Sequence, residues 1–109
     1  DLTGLDAARE LARQAMLSTD DASHRLAFIA RRALSRSPRD QEIAILRREF
    51  DASQAYYRDH PDDANELLAV GQPKTKNEVN PDQLDQADFA AYMTTASLVL
   101  NLDEAVTRE

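Results

Sequence analysis

The chain has 109 residues, no cysteine and a formal net charge of −7. That length suits one domain that buries roughly two thirds of its unfolded surface and folds without staples, and the missing cysteines exclude thiolate zinc sites, iron–sulfur clusters, c-type haem attachment and thiol nucleophiles from this stretch. The charge is uneven: residues 1–60 hold ten acids against ten arginines, whereas residues 61–109 hold ten acids against Lys74, Lys76 and Arg108.

An acidic balance of this kind speaks against a nucleic-acid partner, because binding a phosphate backbone requires a clustered excess of Lys and Arg. The sequence begins at Asp1 rather than Met, which predicts a processed chain or a piece of a longer one. Its longest apolar run, Ala96 to Leu100 with Ser97 inside it, is far short of the ~20 residues that span a bilayer. A soluble chain without membrane insertion is expected.

Two glycines, four prolines and abundant Ala, Leu, Arg and Gln predict helices throughout. The first should start at Thr3, whose hydroxyl can cap the first-turn amides, and bury Leu5, Ala8, Leu11, Ala12 and Ala15 on one face. After a break at Ser18-Thr19-Asp20-Asp21, a second helix should run to about Ser35, with Ala22, Leu26, Ile29, Ala30, Ala33 and Leu34 inward and Arg25, Arg31, Arg32 and Arg36 on or beside the other face. Ser37-Pro38-Arg39-Asp40 reads as a serine cap followed by proline at the first helical position. The third helix then carries Ile43, Leu46, Phe50, Ser53 and Tyr57 at alternating steps of three and four, the spacing of a stripe that packs along a neighbour.

His60-Pro61 stops that pattern, since proline disfavours the helical conformation of the residue before it. A short fourth helix should follow, closed by Gly71, and residues 71–80 read as one long loop. The last helix is expected to open at Asn80-Pro81, wet on one side at Asp82, Asp85 and Asp88 and then small or apolar nearly all round from Ala90 to Leu102. Such a segment is too apolar for a surface helix and should be the strut on which the others pack. The expected fold is an all-α, single-domain helical bundle of four main helices plus one short helix.

Candidate chemistry is sparse. His24 and His60 lack a second metal-type residue at the spacing that would aim two ligands at one ion, and no nucleophile is arranged for either to activate. Asp82, Asp85 and Asp88 fit a helix N-terminus, where acids favour the dipole, better than a calcium loop, which needs acids at alternate positions on a non-helical turn. No metal or cofactor is expected in this segment. Arg31, Arg32, Arg36, Arg39, Arg47 and Arg48 could form a guanidinium patch for phosphate or carboxylate groups. The plainer expectation is that they pair with the acidic second half and lay their stems along the bundle. Asn101, if buried at the end of the strut, must find a hydrogen-bond partner. Asp103 and Glu104 oppose the dipole of a helix C-terminus, which suggests that Arg31, Arg32 or Arg36 meets them.

Residues 30–38, ARRALSRSP, with 40–46, DQEIAIL, then Leu67 to Gly71 and the ending from Leu98 through Asn101, Asp103 and Glu104 to Glu109 resemble the C-terminal part of the planctomycete-type family called domain of unknown function 1553. The resemblance covers most of the chain from about Ala7. It implies the C-terminal portion of a large exported or periplasmic protein, in which the other domains of the same polypeptide are the partners, sometimes including a cytochrome c-like or sugar-binding module. It supplies no catalytic residue; Arg31, Arg32, Arg36, Asn101, Asp103 and Glu104 are structural signature positions by this resemblance only. Three functions are therefore in view: a non-catalytic module packing against other domains, a pocket-forming part of an exported enzyme or redox accessory using an Arg/carboxylate cluster, and a free-standing interaction adaptor.

Overall fold

The computed structural model describes the backbone of residues 2–70, 80 and 82–107 and the side chains of residues 5–70, 80 and 82–102. Among the described residues five helices follow in order: α1 Leu2–Ser18, α2 Ala22–Leu34, α3 Asp40–Asp59, α4 Pro61–Ala69 and α5 Gln86–Thr107. No strand occurs among the described residues, and the all-α bundle with one short helix is as the sequence predicts. No helix among them is long and apolar enough to cross a membrane. The closing role given to Gly71 and the loop at residues 71–80 fall, except for Asn80, outside the described residues.

The bundle is organised around α5, which packs against all four other helices. Phe89, Ala90, Ala91, Tyr92 and Met93 are buried in unbroken succession, so no side of this stretch faces water. Burial continues through Thr95, Ala96 and Val99. Small side chains make such enclosure possible: Ala8, Ala12 and Ala15 of α1 and Ala30 and Ala33 of α2 belong to the same core as Ala90, Ala91 and Ala96, and alanine contacts let helix axes approach toward the short end of the usual 8–10 Å range. Phe50 of α3 stacks on Tyr92 with ring centroids 4.2 Å apart. Thr94 and Thr95 donate their hydroxyls to the carbonyls of Ala90 and Ala91, both at 2.9 Å, so the polar atoms taken into the core remain bonded.

The stripe predicted on α3 is present, with Leu46 and Phe50 buried and Tyr57 packed at the edge. Four expectations change. Helix α1 already begins at Leu2, so Thr3 lies within its first turn rather than before it. Helix α3 starts at Asp40, two residues after Pro38, because the Glu42 carboxylate accepts a 2.8 Å hydrogen bond from the Arg39 amide and fixes the first turn there. Helix α5 starts at Gln86, not at Pro81. Asn80 instead closes a local turn, accepting from the Leu84 amide at 3.0 Å and donating to its carbonyl at 2.8 Å, while Gln83 takes a left-handed φ of 55° that no helix admits. Asp85 then supplies the cap, accepting from the Asp88 amide at 2.9 Å. Finally, α5 is enclosed in its middle rather than at its far end: Leu98 is only partly buried, and Asn101 and Leu102 are exposed. The amide of Asn101 thus has no burial to be compensated.

Two arginines close helix ends belonging to other elements. Arg9, buried in α1, donates Nε to the Leu68 carbonyl at 3.1 Å and a second nitrogen to the Val70 carbonyl, while Asp6 accepts from the third at 2.8 Å. It thereby satisfies carbonyls that the end of α4 leaves without helical partners. Arg25, assigned above to the outer face of α2, instead reaches back to the carbonyls of Thr19 at 2.6 Å and Met16 at 3.2 Å and lies over the Tyr92 ring, 5.4 Å from its centroid. Both groups tie α5's neighbours to one another at the core boundary. Replacing Arg9 with Met keeps the apolar stem but orphans two carbonyls, each worth about 1–3 kcal/mol when buried. The Arg9→Met variant is expected to lose roughly 2–3 kcal/mol of stability in urea unfolding with an unchanged m-value, whereas a midpoint equal to the parent's would show that the cap is dispensable.

Candidate functional site

Where α2 turns into α3, the chain reverses through Ser35, which adopts a left-handed φ of 59°. That geometry places Arg36 beside the first turn of α3. Its guanidinium grips Glu42 as a fork, at 2.9 Å and 2.7 Å to the two carboxylate oxygens, and also donates to the Ser37 carbonyl at 3.2 Å. The corner is therefore held by a bidentate, charge-assisted pair.

Behind this pair runs a groove of about 360 Å³ lined by Leu34 of α2, Ile45 and Leu46 of α3, and Val99 and Leu102 of α5, with Arg36 and Glu42 at one side. Leu46 and Val99 form part of the core, but Ile45 and Leu102 are each 54% exposed. Large aliphatic side chains on both rims of one apolar depression are unlike singly scattered surface leucines, which need no explanation. The lining offers apolar surface, one guanidinium and one carboxylate.

Hydrogen bonding from Arg36, and then from the Arg39 amide, lowers the Glu42 pKa from 4.5 to about 2. A depressed carboxylate contributes stability that is complete above pH 4.5 and disappears as pH falls through about 2. Because the pair sits at the surface, its contribution is small. A carboxyl NMR titration should place the Glu42 midpoint near 2 in the parent and clearly higher in Arg36→Gln, where the Arg39 amide alone still holds it below the ordinary glutamate value. A parent midpoint at the ordinary value would dissolve the fork.

Among the described residues, Arg31, Arg32, Arg36 and Asn101 do not contact one another. Arg31 is exposed and makes no ion pair among the described residues. Arg32 lies over the Phe28 ring, 4.6 Å from its centroid. Arg36 pairs with Glu42, and Asn101 is exposed. The side chains of Asp103 and Glu104 fall outside the described residues, and with them the expected pairing to Arg31, Arg32 or Arg36. Of the acidic second half, toward which the arginine series is expected to turn, Glu78, Asp103, Glu104 and Glu109 have side chains outside the described residues. Arg47 pairs with Asp51 at 3.1 Å, a local i, i+4 contact on α3. Among the described acids of the second half, Asp82 meets Arg13 at 3.3 Å and Asp88 meets Arg58 at 3.6 Å.

Both histidines are exposed. His24 contacts Asp21 at 3.3 Å. His60 stacks on Tyr56 with ring centroids 4.2 Å apart, and Nδ1 lies 2.9 Å from the Tyr56 carbonyl oxygen. The Tyr56 hydroxyl donates to Asp63, and that bond raises the phenol's pKa. These contacts brace the α3–α4 corner. Asp82, Asp85 and Asp88 serve respectively an ion pair, a helix cap and a bond from Gln54 at 2.7 Å.

Of the groove residues, Leu34, Arg36 and Leu46 stand among those that the sequence pattern singles out, whereas it assigns no surface role to Ile45 and Leu102. Their signal was present in the register: Ile45 lies off the Ile43, Leu46, Phe50 stripe, and Leu102 continues an apolar pattern beyond the enclosed part of α5. Compared with known proteins, the chain matches no family model, no curated protein and no solved structure.

Proposed function

We propose that this chain is a non-catalytic docking module, whose α2–α3–α5 groove receives an apolar segment of another domain or protein. The observation that carries this reading is the pairing of two half-exposed aliphatic side chains, Ile45 and Leu102, across a depression floored by core residues. Grooves of this kind accept one face of a helix, whose anchors enter the depression while its polar residues stay in water. The resemblance to the domain of unknown function 1553 family favours a segment of a larger exported polypeptide as the occupant, on the residues quoted above.

A photo-crosslinking residue at Ile45 tests this in the full-length polypeptide, with the same residue at Glu66 as control; Glu66 is exposed on α4 and does not line the groove. The expected result is an adduct specific to position 45 that maps to one defined peptide, in the same chain or in one partner. Identical adduct patterns at both positions would refute a docking groove.

A further inference from the structure

We infer that the partner segment is an acidic amphipathic helix, an assignment that rests on the docking reading and names the chemistry of its occupant. Residues 31–48, which run from the end of α2 through the corner into α3, hold six arginines against Asp40 and Glu42, a net charge of +4. The remainder of the chain holds seven Lys and Arg against eighteen acids, a net charge of −11. The α2 and α3 walls of the groove thus belong to the basic stretch of an otherwise acidic chain. Arg31 and Arg48 are exposed there and make no ion pair among the described residues, so their charges are available to a partner, and Arg39, also exposed, acts on the Glu42 carboxylate without a close ion pair.

This distribution favours one sign of partner and one docking place. An acidic segment is steered toward residues 31–48 and repelled by the remainder, whereas a basic segment is drawn to the remainder and repelled at the groove. The groove's length selects the shape of the occupant. Its lining spans Glu42 to Leu46 on α3 and Val99 to Leu102 on α5, about one helical turn on each, or roughly 5–6 Å. That matches two anchors one turn apart on a partner helix, and an extended acyl chain would run out of it. A second copy of this chain is a poor occupant: outside the groove its exposed large apolar side chains among the described residues are Leu17 and Tyr56, on separate helices.

The test uses two synthetic helical peptides with the same leucines at helical spacing, one flanked by glutamates and the other by lysines, and sodium laurate as a third probe. Binding is read from the methyl NMR signals of Ile45 and Leu102 and from calorimetry. The glutamate peptide should shift both methyls and bind at least about tenfold more tightly than the lysine peptide, with a preference that shrinks as salt rises. Ile45→Lys and the double variant Arg31→Glu/Arg39→Glu should each weaken it by about tenfold; all three positions are exposed, and circular dichroism is the check that each variant keeps the parent's helical spectrum. Equal binding of the two peptides would overturn the acidic partner and leave the docking groove standing. Methyls that neither peptide moves would overturn both readings. Methyls moved by laurate alone would replace the helix with an acyl ligand.

Discussion

The structure depends on enclosing the middle of α5 from every side. Phe89 to Met93 are buried without a break, and a helix can be surrounded in this way only if the contacting positions are small enough for four neighbours to close over it. Alanines supply that space on α1, α2 and α5, while Phe50 and Tyr92 fill the wider gap toward α3. Burying a large side chain is worth about 1.5–3 kcal/mol, against about 0–1 kcal/mol for an exposed ion pair. The core around α5, rather than the many surface arginine–carboxylate pairs, therefore sets the stability of the bundle.

Packing around a common strut leaves helix ends at the core boundary, and arginines serve them. Arg9 closes the end of α4 and Arg25 the end of α1, each from a different helix. A guanidinium suits the task, since it presents several donors in a fixed plane to carbonyls that helix ends leave without helical partners. The same chemistry recurs at the α2–α3 corner, where Arg36 grips Glu42. There the pair stands beside an apolar groove, and a structural corner becomes a surface with docking potential.

The helical content, the apolar faces of α1, α2 and α3 and the strut character of α5 were legible in the sequence, because they follow from periodicity and small-residue composition. Helix starts were less so. Pro38 and Pro81 follow good capping residues, yet Glu42 fixes one start later and the Asn80 turn postpones the other. Sequence spacing does not reveal which of several capping groups finds its partner in space. Arg9 was missed although it lies four residues after Leu5 and three before Ala12, on the buried face of α1; an arginine in that register signals carbonyls to be capped. The groove escaped notice for a different reason. Ile45 and Leu102 are far apart in the chain, and only the packing of α3 against α5 puts them on one depression.

Native-state amide hydrogen exchange tests the central claim most directly. If α5 is the enclosed strut, the amides of Met93 to Val99 exchange only through global unfolding, with the highest protection in the chain and the full denaturant dependence of the unfolding transition. Exchange of those amides by a local opening, at a lower free energy than the amides of α2 and α3 and with little dependence on denaturant, would contradict the account.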